Sequence, residues 1–266
     1  NYRYKGENMN FSLVPIADKK FLNFIYLGLG SKGKSLIALF NTRGNTMIKE
    51  SVAKDLEIEM IDKDYIDEKK TYKRAFLGEL LIGGLKLNRV PVLIGKDSVF
   101  DIGHDPMGNT NDCDMVLGWN IISQFAWRGN LAEGRFEVQT SDFTKASGKK
   151  TNQPILNIGL GDKIIKAAID SSRPLTIVSE SISKEVVAAD PDLAKTMDMM
   201  GEATDDVTYL NRFSFKIDNK NVKIQSVSID ADLNDKDIQV VFGADLLRQT
   251  KWSIYGPSAF IKLENY

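Results

Sequence analysis

The chain has 266 residues, of which 42% are hydrophobic and 27% are charged, and this is the composition of an ordinary globular protein with a sizeable core. Its 35 basic and 36 acidic residues give a formal net charge of −1, so charge offers no reason to expect a nucleic acid or an anionic membrane as partner. No apolar run approaches the roughly 20 residues that a membrane-spanning helix needs.

The counts of cysteine and histidine exclude several kinds of site. The single cysteine, Cys113, rules out an internal disulfide and a cysteine-based metal cluster, and the single histidine, His104, rules out a paired-histidine zinc site. We therefore predict no metal and no cofactor. His104 lies in a polar, turn-rich segment without an accompanying G-x-S-x-G motif, which favours a solvated residue over a hydrolase histidine.

The chain starts at Asn1 without a methionine, a weak hint of a trimmed export signal, and the sequence predicts nothing more about the compartment.

The first motif in chain order is GLGSKGKS, residues 28–35, which fits the phosphate-loop template G-x-x-x-x-G-K-[ST]. That template requires a sustained helix after the loop, but LIALF is followed at 41–46 by NTRGNT, which is rich in turn formers. The corresponding segment of the second half, IGLGDK at 158–163, keeps the glycine pair and lacks the G-K-S. We therefore predict that residues 28–35 join two antiparallel strands and bind no nucleotide.

Alternating apolar and polar residues predict short strands along most of the chain. Short helices are predicted in four segments, which are ESVAKDL (50–56), NIISQFAW (120–127), SISKEVV (181–187) and ADLLRQTKW (244–252). The chain is therefore expected to be mainly β.

The same landmarks occur twice in the same order. TMIKESVAKDL (46–56) matches TIVSESISKEV (176–186), and DMVLGWNIISQFAW (114–127) matches QVVFGADLLRQTKW (239–252). Such an ordered repeat indicates a duplicated structural unit.

The duplication predicts two similar lobes, residues 1–145 and 150–266. A polar segment rich in Gly, Ser and Lys, residues 141–154, separates them and has the composition of a linker.

Each half resembles the retropepsin-like aspartic proteases. AAIDSSRPLTIVSE (167–180) stands where that family has its D-T-G-A turn, and MVLGWNIISQFAWRGNLAEGRFEV (115–138) matches the family's later hydrophobic-hydrophobic-glycine segment, helix and closing hairpin. Two such units in one chain are arranged like the two lobes of a pepsin. The resemblance implies a mainly β, bilobal, pepsin-like acid-protease fold built from two retropepsin-like units.

The chemistry of that family needs two carboxylates that share one proton, one from each lobe. The resemblance places Asp170 at the catalytic position of the second lobe, with Ser171 for the usual threonine and Ser172 for the usual glycine. The alternative, which the sequence favours, is a structural role for Asp170, in which its carboxylate accepts backbone N–H groups within the turn.

The first lobe has no aspartate at the corresponding position. A gapless alignment places Phe40 opposite Asp170, whereas a shift of one residue places Asn41 there. In the shifted register the triplet Asn41, Thr42 and Arg43 replaces Asp-Thr-Gly. Neither Phe nor Asn titrates near neutral pH, so the dyad is incomplete in both registers.

Two tyrosines, Tyr72 and Tyr209, precede the hairpins that resemble the flaps of this family. The resemblance implies an aromatic residue that covers the substrate, and the alternative is that both are ordinary core tyrosines.

The sequence favours a catalytically degenerate aspartic-protease homologue whose inter-lobe cleft binds an extended peptide or protein segment. One alternative is an active aspartic endopeptidase in which Asp170 finds a second carboxylate elsewhere in the chain or on a partner chain across a twofold axis. The other alternative is a structural or assembly protein that uses only its surfaces. The expected partner is a peptide, with no nucleic acid, no nucleotide and no membrane span.

Overall fold

The computed structural model describes residues 6–16, 19–67, 70–139, 153–187, 212–225, 228–230, 233, 237–255 and 260–264. These residues form mainly β-strands, which are arranged in two eight-stranded sheets, one five-stranded sheet and one two-stranded sheet. In the described part of the chain, no helix is both long enough and apolar enough to cross a membrane.

The strands of the first half are β1 (Glu7–Asn8), β2 (Phe11–Ile16), β3 (Lys19–Ser31), β4 (Lys34–Phe40), β5 (Met47–Lys49), β6 (Glu59–Asp67), β7 (Lys70–Ile82), β8 (Leu85–Gly95), β9 (Asp101–His104), β10 (Thr110–Asp112), β11 (Met115–Leu117), β12 (Ala126–Asn130) and β13 (Arg135–Gln139). Those of the second half are β14 (Ile155–Leu160), β15 (Lys163–Ile169), β16 (Ile177–Ser179), β17 (Val186–Val187), β18 (Arg212–Ile217), β19 (Lys220–Gln225), β20 (Ser228–Asp230), β21 (Val240–Phe242), β22 (Lys251–Tyr255) and β23 (Phe260–Glu264).

The helices are short, and each of the four segments predicted to be helical contains one, an α-helix in three of them and a 3-10 helix in the segment 181–187. The α-helices are α1 (Glu50–Asp55), α2 (Trp119–Ile122) and α3 (Ala244–Gln249), and the 3-10 helices are Asp97–Phe100, Leu131–Glu133 and Glu180–Glu185. Three of the predictions are wrong at their ends: residues 126–127 belong to β12, residues 251–252 belong to β22, and Val186 and Val187 pair with β18 as a strand. Two adjacent β-branched residues favour that extended conformation.

The glycine-rich motif at 28–35 forms the predicted hairpin. β3 and β4 are antiparallel, and Gly28 to Ser31 pair with Lys34 to Ile37 across the turn. Lys32 and Gly33 both have positive φ, 47° and 76°, which is the turn geometry that matches the twist of two antiparallel strands. The nucleotide-binding interpretation has no helix to support it.

The two large sheets repeat one arrangement of strands around a turn. In the first, β11 lies between β4, to which it is parallel, and β5, to which it is antiparallel. In the second, β21 lies in the same way between β15 and β16. The turns from β4 to β5 and from β15 to β16 are therefore equivalent, as the sequence repeat predicts.

One glycine in each half allows a close approach between chain segments. A Cβ on Gly118 would lie 2.3 Å from the backbone of Asn45, and a Cβ on Gly243 would lie 2.6 Å from the backbone of Leu175. The segment that follows β11 or β21 is thus packed directly against the turn of its own lobe.

The five-stranded sheet joins the halves. Its order is β1, β13, β12, β22, β23. Within this sheet, the two halves meet through the antiparallel pair of β12 and β22. An aromatic cluster packs beside it, in which Phe40 lies 5.4 Å from Trp127, 5.1 Å from Phe136 and 6.2 Å from Trp252 between ring centroids. Both tryptophans are buried, as the repeat predicts for core residues.

The architecture is mainly β and bilobal, as predicted. The proposed lobe boundaries at residues 145 and 150 lie outside the described residues and stay a prediction, and Tyr209 lies outside them too.

Candidate functional site

The two equivalent turns meet where the lobes join, through a reciprocal pair of hydroxyl groups. Thr42 Oγ1 donates to the Ile169 carbonyl at 2.7 Å and accepts from the Ser171 N–H at 3.1 Å. Ser171 Oγ donates to the Phe40 carbonyl at 2.6 Å and accepts from the Thr42 N–H at 3.0 Å. Both hydroxyl residues are fully buried. We call these four bonds the inter-lobe lock.

The inter-lobe lock relates the two turns residue by residue. Thr42 is the counterpart of Ser171, so Asn41 is the counterpart of Asp170 and Phe40 of Ile169. Phe40 is fully buried among aromatic rings and is a core residue. The hydrogen bonds therefore follow the shifted register and not the gapless one.

The gapless alignment does not hold across the turn because the second turn is one residue longer. The Gly44 carbonyl accepts from Trp119 N–H and the Arg173 carbonyl accepts from Ala244 N–H, which makes Gly44 and Arg173 equivalent. After this point the first turn has one residue, Asn45, where the second turn has two, residues 174 and 175. The equivalent threonines at 46 and 176 follow.

The side chains of Asn41 and Asp170 occupy equivalent local geometries. Asn41 Oδ1 accepts the Arg43 N–H at 2.9 Å, and Asp170 Oδ1 accepts the Ser172 N–H at 3.1 Å. These bonds are typical of Asx turns. The structure thus places a carboxamide at the position in the first lobe that matches a carboxylate in the second.

Asp170 has further partners that satisfy its charge. Its Oδ1 also accepts from the Ser172 hydroxyl, and its Oδ2 lies 3.5 Å from Nε of Arg173. The Asp170 side chain is only 13% exposed, whereas that of Arg173 is 49% exposed. The carboxylate is therefore bound on one oxygen by its own turn and paired on the other with a cation.

Arg43 and Ser172 occupy the two positions that follow the residues of the inter-lobe lock. Both correspond to the glycine of the family pattern, so each turn carries a side chain there. The next residue is Gly44 in the first lobe, and a Cβ at that position would lie 2.5 Å from Nδ2 of Asn41. Its counterpart Arg173 instead extends to pair with Asp170.

A second pair of polar contacts anchors the far end of each turn. Thr46 donates its N–H and its hydroxyl to Asn120 Oδ1 at 2.9 and 2.7 Å. Thr176 donates its N–H and its hydroxyl to the two carboxylate oxygens of Asp245 at 2.9 and 2.8 Å. Burial raises the pKa of Asp245 to about 6 despite these donors.

A cavity of about 140 Å³ lies beside the first turn. Its walls come from the β6–β7 hairpin, from β8 and from the turn, and they are Asn45, Thr46, Ile61, Tyr65, Arg74, Ala75, Pro91, Val92, Leu93 and Asn120. Tyr65 is the tyrosine in this wall. Tyr72 is partly buried on β7 opposite Tyr65, and its substrate-covering role stays a prediction.

Sequence reasoning missed the residues of the hairpin that line this cavity. β6 reads EMIDKDYID and is dominated by charged side chains, so its weak alternation gave no signal of a strand. The one usable signal was the pair of tyrosines at 65 and 72, because cross-strand aromatic pairs are common in hairpins.

The remaining candidate residues lie apart from the turns. His104 is exposed at the end of β9, opposite Thr110 on β10. Cys113 is buried and free, and burial raises the pKa of its thiol to about 11. Among the residues that the structure describes, no group of three or more His, Cys, Asp or Glu side chains could hold a metal ion.

Comparison with known proteins supports the fold. No protein-family model matches the sequence, and no curated protein matches it either. Among solved structures, the chain is similar to the crystal structure of an aspartic proteinase from Irpex lacteus, with a TM-score of 0.53 and 12% identity over 96% of this chain and 97% of that one. The chain therefore has the bilobal fold of the pepsin-like aspartic proteinases. At this identity the likeness shows the fold alone.

Proposed function

We propose that the chain is a catalytically degenerate pepsin-fold protein, built from two retropepsin-like units, that binds an extended peptide or protein segment between its lobes without cutting it. The observation that carries this proposal is that Asn41 stands in the first turn at the position equivalent to that of Asp170 in the second. The inter-lobe lock joins the two turns, and one of the two equivalent side chains cannot ionise.

The two-carboxylate mechanism depends on a shared proton. One carboxylate activates water while its protonated partner polarises the peptide carbonyl. A carboxamide at residue 41 neither takes up nor releases a proton near neutral pH, so no proton can be shared. Losing one member of a cooperating catalytic unit removes rate enhancement on the order of 10⁴-fold.

The contacts of Asp170 add to this loss. One carboxylate oxygen is paired with Arg173, and the other accepts from the N–H and the hydroxyl of Ser172. A carboxylate with both oxygens engaged is suited to holding the turn together, which is the structural role that the sequence left open.

Binding of an extended peptide does not require the two catalytic carboxylates. β6 is the last strand in its sheet, so in the described part of the chain its outer edge has main-chain groups that can pair with an added strand. Three apolar side chains on β6 are exposed, Met60 by 51%, Tyr65 by 37% and Ile66 by 72%. Together with the cavity beside the first turn, these features support recognition of an extended segment.

The arrangement argues against an active pair formed by Asp170 of two chains. Asn41 is the counterpart of Asp170 across the inter-lobe lock, and a second chain that took the place of the first lobe would have to break four buried hydrogen bonds. The structural or assembly alternative predicts no retention of peptides.

Cleavage of an unbiased peptide library between pH 3 and 8 tests the catalytic half of the proposal. We expect the monomeric wild type, Asp170→Ala and Asn41→Asp to leave the library intact. Asn41→Asp is included because it restores the second carboxylate while Arg43 and Ser172 still occupy the positions that correspond to the family's glycine. Pepstatin-sensitive cleavage by the wild type that disappears in Asp170→Ala would overturn the proposal.

Retention of the same library on immobilised protein tests the binding half. We expect Ile66→Ala to reduce the retained peptide several-fold, because Ile66 is on the exposed edge strand. Ile164→Ala is the matched control, since Ile164 is similarly exposed at 78% but lies on β15 of the second lobe. Equal retention by both variants, or no retention by the wild type, would count against peptide binding at this edge.

A further inference from the structure

Four strands of the second lobe form a basic surface. β14, β15, β18 and β19 carry six lysine or arginine side chains and no acidic one, and the β14–β15 and β18–β19 turns add only Asp162 and Asp218. The register of these strands places four of the basic side chains, all of them exposed, on one face of the sheet. We call this surface the basic face, and its members are Lys166, Arg212, Lys216 and Lys223. In the part of the chain that the structure describes, none of the four forms an ion pair.

A groove of about 390 Å³ opens in the basic face. Lys216 and Lys223 are among its walls, together with Gly159 and Gly161. Gly159 is paired with Lys216 on one side and with Ile164 on the other, so these three residues form one row across the sheet. Because the glycine has no side chain, a gap lies between a cation and an isoleucine that is 78% exposed. The groove therefore suits an apolar side chain that is accompanied by a negative charge.

The β9–β10 hairpin of the first lobe carries the opposite charge. It lies within residues 97–114, which include five aspartates and no lysine or arginine. Lys49 pairs with Asp112, but Asp101 and Asp105 form no ion pair with any residue that the structure describes. The hairpin therefore has negative charges that a cationic surface can neutralise.

The turn of this hairpin also presents an apolar side chain. Met107 is 88% exposed, more than any other large hydrophobic side chain among the described residues. Asp105 Oδ1 accepts the N–H groups of Met107 and Asn109, each at 2.8 Å, and Asp105 Oδ2 accepts from Asn109 Nδ2 at 2.9 Å. The bond from the Asn109 side chain holds the pKa of Asp105 below its usual value, so this carboxylate is ionised at neutral pH. The turn thus holds Met107 next to a negative charge.

We propose that the β9–β10 hairpin of one copy of this chain docks on the basic face of a second copy, with Met107 in the groove beside Gly159. The aspartates of the hairpin then face the lysines of the groove. The two surfaces are different, so the contact joins copies head to tail. A net charge of only −1 leaves little overall repulsion between copies. One hairpin on one face is a small interface, so the association is weak. This inference does not depend on peptide binding.

Sedimentation velocity of the wild type, from micromolar to millimolar protein, tests the association. We expect the average mass to rise with concentration at low salt, and molar salt to weaken the association about tenfold because it screens charges beyond about 3 Å. Met107→Ser should weaken it about tenfold through the loss of apolar burial. Met60→Ser is the matched control on β6, where Met60 is 51% exposed, and should change nothing. A wild type that stays monomeric, or an association that Met107→Ser leaves intact, would overturn the inference.

Exchange of charges tests the pairing of the two surfaces. Lys216→Glu with Lys223→Glu makes the groove acidic, and Asp101→Lys with Thr110→Lys makes the hairpin basic. Each double variant alone should be monomeric, because its two surfaces then repel each other. An equimolar mixture of the two should associate at least as tightly as the wild type, which also shows that both variants are folded. A mixture that stays monomeric would contradict the proposed contact.

The control for net charge is Asp64→Lys with Asn88→Lys, which adds the same charge at exposed positions outside the hairpin. Mixed with the Lys216→Glu and Lys223→Glu variant, it should associate at least tenfold more weakly than the hairpin variant does, because the acidic groove then meets an acidic hairpin. Equal association in the two mixtures would assign the effect to net charge and would overturn the inference.

Discussion

At the scale of single residues, Thr42 and Ser171 form the hydrogen bonds of the inter-lobe lock. Each hydroxyl donates to a carbonyl and accepts an N–H group of the other lobe, and all of these groups are buried. Because water cannot replace a partner at such a position, losing one hydroxyl leaves two backbone groups unpaired.

Thr42→Val should therefore lower the free energy of unfolding by about 2–4 kcal/mol, since the carbonyl of Ile169 and the N–H of Ser171 each lose their partner. Thr42→Ser keeps the hydroxyl, and its loss of one methyl group should cost about 1 kcal/mol. Urea unfolding of the three proteins measures both changes. Equal destabilisation by Val and Ser would mean that packing, and not the hydrogen bonds, stabilises this position.

Asp245 makes stability depend on pH. Its pKa rises on folding from the ordinary 3.8 to about 6, so the native state holds a proton that the unfolded chain releases between pH 4 and 6. The contribution of Asp245 to stability is therefore greatest below pH 4 and is lost as pH rises through 6, by about 3 kcal/mol for a shift of about two units.

Asp245→Asn should remove this slope and stabilise the protein above pH 7 by roughly 1–3 kcal/mol, because the amide carries no charge to bury. Thermal or urea unfolding at pH 4, 6 and 8 measures the difference. Asn120→Asp is the matched control at the equivalent, exposed position and should change stability by less than about 1 kcal/mol. Parallel pH profiles for wild type and Asp245→Asn would contradict the assignment.

At the scale of elements, the β3–β4 hairpin shows why a sequence motif needs its structural context. The backbone of residues 28–31 is paired with that of residues 34–37, so these N–H groups belong to strands and are not arranged around an anion. The lysine and serine of the motif lie on β4 with no helix after them.

ATP with Mg²⁺ at millimolar concentration should accordingly leave the melting temperature of the protein unchanged. A ligand that binds only the native state must raise that temperature. Lys34→Ala should behave like the wild type with and without the nucleotide, and Mg²⁺ alone serves as the blank. A rise in the melting temperature of the wild type that Lys34→Ala abolishes would support the phosphate-loop interpretation instead.

Most elements could be predicted from the sequence because the duplicated pattern shows each of them twice. The repeat located the equivalent turns, the short helices and the buried tryptophans. It could not choose between Phe40 and Asn41, because the extra residue at 174–175 lies in a turn, where no apolar alternation reveals an insertion. It also missed β6, whose charged side chains conceal its alternation.

At the scale of the whole molecule, the five-stranded sheet makes the stability of the two lobes interdependent. β12 and β22 pair directly, and at one point of this pair Gly129 faces Trp252 so closely that a Cβ would lie 2.1 Å from the indole ring. Any side chain at residue 129 must displace that ring from the aromatic cluster.

Gly129→Ala should lower the free energy of unfolding by about 1–3 kcal/mol or more through this overpacking. Unfolding should remain a single transition in which circular dichroism and tryptophan fluorescence coincide. Gly78→Ala is the control, since its Cβ would meet nothing closer than 3.8 Å, and it should be neutral or slightly stabilising. Separate transitions for the two probes would show that the lobes unfold independently.

Because the two equivalent turns belong to one polypeptide, the direction of a strand lying across them also matters. In a dimer of identical chains around a true twofold axis, every substitution would occur twice, so the two sides of its centre would be identical. Here one turn presents an amide that can donate and the other a carboxylate that can only accept. If a strand lies across them as proposed, it meets different chemistry when its N-to-C polarity is reversed, so the two orientations of the same peptide should bind with different affinities.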